Sequence, residues 1–259
     1  MEDRKTKSLQ RIREFRLLDD DFMTKCFEDN IEATELVLSI IMDKKLKVQS
    51  VHTQHNIKSL QGRSVRLDIF ASDENGKLYD IEIQRADKGA GAKRARYNSS
   101  LMDANVLDAG DEFEKLKDTY VIFITENDII GADKPIYHID RYIRETEKEF
   151  NDGTHIIYVN ASHKDDTPLG KLMNDFCCAN PDDMNYKLLA DRARYFKEDE
   201  KGVAAMCRAI EEDIKDAVKE VAVKMLKKNV LSIQDIAEYC NLTEDEVKEL
   251  AESTKACMA

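Results

Sequence analysis

The segment that most narrows the fold is Thr119 to Thr125, TYVIFIT, in which Tyr120 to Ile124 are all large and apolar without polar alternation. A run this short and this rich in β-branched and aromatic residues predicts a strand buried on both faces, and such a strand needs a sheet covered on either side. The chain has 259 residues, enough for a full core plus a small appendage.

The surrounding pattern supplies the other layers. From Asp21 to about Met42 the apolar residues Phe22, Cys26, Phe27, Ile31, Leu36, Val37, Ile40 and Ile41 recur at helical spacing, with Asp29-Asn30 as a junction between two helices. Val48 to Ile57 alternates weakly, while Ser64 to Ala71 and Leu78 to Arg85 alternate clearly about the turn Asp73-Glu74-Asn75-Gly76. Lys93 to Leu107 has helical composition, Asp140 to Phe150 reads as a polar helix, and His155 to Val159 as a further strand. The order α-β-β-β-α-β predicts an α/β fold with a mixed sheet flanked by helices.

Beyond Pro168 only helices are expected. Lys201 to Lys228 is long and amphipathic, and Ser232 to Glu252 reads as two short helices broken at Asn241-Leu242-Thr243. The boundary is placed near Pro181, giving a core at 1–180 and an all-α C-terminal extension at 181–259. The first sixteen residues, with Arg4, Lys5, Lys7, Arg11, Arg13 and Arg16, read as a mobile arm or a short helix.

The hairpin carries the chemistry. Along the first strand Val65, Leu67, Ile69 and Ala71 are expected on one face and Arg66, Asp68 and Phe70 on the other; along the return strand Tyr79, Ile81 and Ile83 oppose Asp80, Glu82 and Gln84. Residues directly opposite share a face, so Asp68 must meet an even-numbered partner. A two-residue Asn75-Gly76 turn would pair Asp68 with Ile83 and split the apolar face. A three-residue loop, Glu74-Asn75-Gly76, pairs Asp73 with Lys77 and Asp68 with Glu82, and puts Gly76 at the left-handed position. Facing carboxylates repel at neutral pH unless a cation lies between them, and an oxygen-rich pair suits Mg²⁺ or Mn²⁺. Two carboxylates facing solvent on a half-exposed hairpin satisfy the same pattern.

Composition bounds the alternatives. A formal charge of −12 speaks against a broad nucleic-acid surface, although divalent cations and a few placed basic residues can neutralise a phosphate locally. Six cysteines without a CxxC pair point to reduced thiols, not to disulfides or structural zinc. The N-terminus has no signal-like apolar stretch and no run is long enough to span a membrane, so a cytoplasmic protein is expected. His52 and His55, three apart on a strand, should face opposite ways and share no metal. No GxSxG elbow or GxxxxGK[ST] loop gives a serine-hydrolase or ATPase reading a foothold.

The stretch Arg66-Leu67-Asp68-Ile69-Phe70, the turn Glu74-Asn75-Gly76-Lys77 and the run Tyr79-Asp80-Ile81-Glu82-Ile83-Gln84 resemble the D…ExQ active-site hairpin of the PD-(D/E)XK nuclease family transposases, which include the recombination-promoting nucleases. Similarity continues through Asp21 to Phe27, Lys93-Arg94-Ala95-Arg96-Tyr97 and Tyr120 to Ile124, covering roughly residues 17 to 165. The resemblance implies a restriction-endonuclease-like core and a Mg²⁺- or Mn²⁺-dependent endodeoxyribonuclease acting on DNA. It implies Asp68 and Glu82 as metal ligands, with the Ile83 carbonyl completing the shell, and Gln84 where many superfamily members carry lysine.

An acidic residue on a helix usually completes such sites. Asp21 is the first candidate, with Glu35 and Glu32 behind it; Asp21 as a helix N-cap is the competing reading. Arg94, Arg96 and Tyr97 are candidates for the phosphate backbone, or else packing residues. Glutamine at position 84 can orient a water but brings no charge, so a catalytically weak or inactive nuclease-fold interaction protein, or a transposition accessory factor, is the rival to the enzyme. Self-association is compatible with either. The C-terminal Ser232 to Val247 pattern resembles a helix-turn-helix, yet Glu244, Asp245, Glu246 and Glu249 would be repelled by phosphates, which favours a packing or protein-contact role.

Overall fold

The computed structural model describes residues 9–59, 62–85, 89–108, 110–228 and 231–256. Arg4, Lys5 and Lys7 of the expected arm, and Cys257, lie outside them. The described residues divide into two units, 1–203 and 204–259.

In the first unit a helix described at 9–14 (α1) precedes α2 (Asp20–Phe27) and α3 (Ile31–Ile41), as the apolar spacing predicts. Their junction is chemical: Asp29 adopts a left-handed φ of 53°, and the Asn30 side chain accepts the Ala33 N–H at 3.1 Å, capping α3. Strands β1 (Val48–Ile57), β2 (Val65–Asp73) and β3 (Leu78–Gln84) form an antiparallel meander. Helix α4 (Ala92–Ala104) then crosses over to β4 (Thr119–Thr125), which lies parallel to β3. After β5 (Ile136–Ile139) and the small hairpin β6 (Tyr142–Ile143) and β7 (Lys148–Glu149), strand β8 (Thr154–Asn160) returns parallel to β4. The six-stranded mixed sheet has the order β1-β2-β3-β4-β8-β5, with β5 antiparallel at its edge.

Strand β4 occupies the interior as its composition requires. Val121, Ile122, Phe123 and Ile124 are all fully buried, each contributing about 1.5–3 kcal/mol from apolar area removed from water. Helix α4 packs on β4 and β8, while α2 and α3 pack toward β1 and β2. The loop closing β2 and β3 is the three-residue one. Asp73 N–H bonds to the Lys77 carbonyl at 3.1 Å, Gly76 has φ 77°, and the ladder pairs Ile69 with Ile81 and Phe70 with Asp80. The buried Asp73 carboxylate locks the turn by accepting from Asn75 N–H, Lys77 N–H and the Tyr79 hydroxyl.

Three expectations change. Asp140 to Phe150 is not a helix but holds the β6–β7 hairpin, whose turn takes a left-handed φ of 53° at Glu147 and leaves Tyr142 and Phe150 exposed. Its apolar residues, the adjacent Tyr142 and Ile143 and the lone Phe150, are too few to mark either a helical or a strand period. The boundary expected near Pro181 lies instead between 203 and 204. Helices α5 (Pro168–Cys177) and α6 (Lys187–Glu198) belong to the first unit: Arg192 donates to the carbonyls of Lys25, Cys26 and Glu28, capping the end of α2, and buried Lys197 donates to the Arg13 carbonyl at 3.0 Å.

His52 and His55 do not face opposite ways. Gln54 between them has φ 51°, and its rotation brings the two rings to 5.7 Å, with His55 stacked on Phe70 at 4.8 Å. The same rotation lies across from Asp68, between the ladder pairs Thr53–Ile69 and His55–Leu67, so the ribbon coils where the candidate carboxylate sits. Strict alternation fails there too. Leu67 and Ile57 join the cluster of Ala95, Leu101, Val121 and Phe123 beside α4.

Helix α7 (Glu200–Lys228) runs from the first unit into the second, where α8 (Ile233–Cys240) and α9 (Glu244–Ala256) follow. Ser232 and Asp235 form a capping box at the start of α8, and Asn241 ends it at φ 51°. Ala222, Ile236, Ala237 and Val247 make a small core of this unit's own. Among the described residues no helix is long and apolar enough to cross a membrane.

Candidate active site

Asp68 on β2 and Glu82 on β3 stand on adjacent antiparallel strands, just beyond the last ladder pair, Ile69 with Ile81. The Asp68 carboxylate takes over where backbone pairing stops, accepting the Ile83 N–H at 2.9 Å. The backbone of Ile83, whose carbonyl is the expected third ligand, thus touches the site through its N–H. Asp80 belongs to the same group. It lies two residues before Glu82, on the same face by strand parity, and both side chains are fully buried. Asp80 was not among the expected site residues, although the alternation that placed Glu82 placed it equally.

Helix α4 covers the carboxylates with two side chains one turn apart. Arg94 forms an ion pair with Glu82 and donates to the Gly89 carbonyl at 3.1 Å. Asn98, which is 1% exposed, donates to Asp80 Oδ2 at 2.9 Å and to Glu82 Oε1 at 3.2 Å. Asn98 is the second residue that sequence reasoning missed; its position four residues after Arg94 on a helix is the signal that could have found it.

The electrostatics are those of crowded, desolvated acids. Burial, then the neighbouring Glu82 charge, pushes Asp68 up to about 8. Burial pushes Asp80 up to about 7, with Asn98 opposing. Glu82 rises to about 8 through burial and the Asp80 charge, with the Arg94 guanidinium pulling the other way. One guanidinium against three acids leaves an excess of negative potential when the acids ionise, the condition that a hard cation satisfies. The Oδ1 atoms of Asp80 and of Asn98 are buried without a hydrogen-bond partner.

The remaining candidates are distributed around this group. Gln84 is half-buried at the end of β3, its amide so close to Gly89 that a Cβ there would lie 1.7 Å from Gln84 Oε1. Asp21 sits in the first turn of α2, whose N-cap is Asp19, and lines an open cleft of about 630 Å³ with Arg16, Asp20, Arg85 and Glu126. Asp20 is the α2 carboxylate whose charge bears on Asp68, and it accepts from Gln54 Nε2 at 2.9 Å. Glu35 is engaged elsewhere, accepting the Val48 N–H at 2.9 Å, and Glu32 is exposed. Arg96 is exposed on α4, and Tyr97 is exposed with its hydroxyl donating to the Arg63 carbonyl at 2.6 Å. Arg94 therefore points at the acids, and Arg96 and Tyr97 do not. Among the described residues no group of three or more His, Cys, Asp or Glu side chains is disposed to hold a metal ion by itself.

A mixed sheet whose antiparallel β2–β3 pair carries the acids, with a helix crossing from β3 to a parallel β4, defines a nuclease-like α/β domain. The chain belongs to the PD-(D/E)XK nuclease family transposases, whose family model matches residues 28–168. No curated protein and no solved structure matches it.

Proposed function

We propose that this chain is a divalent-metal-dependent endonuclease that hydrolyses DNA phosphodiester bonds in the cytoplasm. The observation that carries the reading is the desolvated acid group of Asp68 and Glu82, just past the last β2–β3 ladder pair, with Asp80 beside Glu82 on β3. A chain seldom buries like charges together without a counter-charge to receive.

The donor set fits Mg²⁺ or Mn²⁺: every side-chain donor is a carboxylate oxygen, and such ions take few protein ligands and keep several waters. Asp68 and Glu82, with the Ile83 carbonyl, would hold the ion. Bound there, it would act as a Lewis acid toward the phosphate and lower the pKa of a water. The chain's own residues have separable tasks. Gln84 can orient the attacking water by donating and accepting hydrogen bonds, but at neutral pH it cannot take up the proton. Exposed Arg96 and Tyr97 would meet backbone phosphates and set the register of DNA on α4. In a chain of net charge −12 such contacts are local, so few phosphates are neutralised and affinity should fall only shallowly with salt.

The test is incubation of the purified chain with supercoiled plasmid and Mg²⁺ or Mn²⁺, beside Asp68→Ala. Nicking or linearisation by the wild type that disappears in the variant and in EDTA is expected. Equal cleavage by both would refute the reading. A second reading, a nuclease-fold protein without turnover that acts as an interaction or transposition accessory factor, is favoured by one observation: Arg94 already neutralises Glu82, beside a glutamine where lysine would supply charge. Metal binding without cleavage would support it.

A further inference from the structure

We propose that Asn98 is a positioning residue for Glu82, holding its carboxylate in place without neutralising it; the inference rests on the metal-binding reading above. The two oxygens of Glu82 are divided between α4 residues of different character. Oε2 faces the Arg94 guanidinium, and Oε1 accepts from Asn98 Nδ2 at 3.2 Å. The same Nδ2 donates to Asp80 Oδ2 at 2.9 Å, so one amide group bridges two like-charged neighbours on β3 and supplies a proton to each.

The orientation of that amide follows from chemistry. With both acids ionised, Asn98 Oδ1 turned toward them would be repelled by each, so Nδ2 points at the acids and Oδ1 is left buried without a partner. An unpaired buried carbonyl oxygen destabilises a fold, and an apolar side chain of similar size would avoid it. Packing therefore does not account for an asparagine here, whereas bridging the acids does. A cationic residue at this position would consume the charge that a metal ion needs. A neutral donor fixes the ligand and leaves its charge available, as hydrogen-bond partners behind metal ligands generally do. Should a cation displace Arg94 from Oε2, Asn98 would still hold Oε1.

Mn²⁺ affinity of the full chain, measured by electron paramagnetic resonance titration, tests the assignment in wild type, Asn98→Leu, Asn98→Ser and Glu82→Gln, with thermal unfolding in EDTA recorded for each. Asn98→Leu should weaken Mn²⁺ binding about ten- to hundred-fold, and it should melt in EDTA below the wild type, because it leaves Asp80 Oδ2 and Glu82 Oε1 buried without their donor. Asn98→Ser, smaller and with one donor, should fall between, and it decides the matter if the leucine variant does not fold. Both variants binding Mn²⁺ within about two-fold of wild type, while Glu82→Gln weakens it strongly, would overturn the role of Asn98 and leave the metal site standing. Wild-type affinity no better than that of Glu82→Gln would overturn both.

Discussion

Glu82→Gln should move stability and activity in opposite directions, and by an amount that depends on pH. The Glu82 carboxyl rises from 4.5 to about 8, chiefly through burial and the adjacent Asp80 charge. For an acid whose folded pKa lies above its unfolded one, the folded state holds the proton more tightly, so stability is lost as pH climbs between the two. The window here runs from pH 4.5 to about 8. Glutamine has no proton to lose and keeps nearly the same shape. At about 1.4 kcal/mol per pH unit, the substitution should stabilise the metal-free protein by about 1 kcal/mol at pH 5 and about 2–4 kcal/mol at pH 8. The lower figure allows for Asp68 and Asp80, whose own repulsion relaxes the same charge, and for the lost Arg94 ion pair. In a chain of this size that is roughly 5–10 °C in melting temperature at pH 8. Thermal unfolding in EDTA at pH 5 and pH 8, with and without added Mn²⁺, and plasmid cleavage measure both sides. The variant should lose Mn²⁺-dependent cleavage and most of the Mn²⁺ stabilisation. A variant that melts below wild type at pH 8, or a gap that does not widen between pH 5 and pH 8, would refute the electrostatic reasoning.

Arg94→Ala removes the resident cation from Glu82, so it should lower stability in EDTA by about 1–3 kcal/mol and raise Mn²⁺ affinity several-fold; calorimetric titration showing weaker Mn²⁺ binding would contradict this. Gly89→Ala puts a methyl where the Gln84 amide lies, and because that amide ends a flexible side chain the fold should change by less than about 1 kcal/mol. Cleavage should nevertheless fall at least about ten-fold, or about 1.4 kcal/mol in the barrier, whereas wild-type rates would remove Gln84 from the site. Truncation after Val203 should leave a cooperative melting transition close to that of the full chain, because the sheet and the α6 contacts close within the first unit; loss of the transition in circular dichroism would join the units energetically.

Much of the site was legible because a hairpin is a local object. Two-residue periodicity and the need for glycine at a left-handed position selected the three-residue loop, and the observed ladder has that register, with Gly76 at φ 77°. Alternation also put Asp80 beside Glu82, and helical spacing put Asn98 beside Arg94; both were available and carried no weight, since an acid or an amide on a half-polar face is ordinary until its burial is known. The choice among Asp19, Asp20 and Asp21 was beyond reach. Three consecutive acids present one pattern, and only the packing of α2 against Gln54 sets Asp20 toward Asp68. Periodicity also misled at His55, because a left-handed φ at a non-glycine residue such as Gln54 leaves no mark in the sequence.

What the chain alone determined is therefore the content of its elements: a doubly buried β4, the β2–β3 hairpin and its register, paired helices before it and helices after Pro168. These follow from how each stretch divides its residues between water and core, a property of near neighbours. Tertiary structure decided which distant groups meet. It set Arg94 on Glu82, Asn98 between two acids, α6 inside the first unit and β5 at the sheet edge. Those contacts join segments that no short period links, and their energies depend on burial that appears only when the layers close.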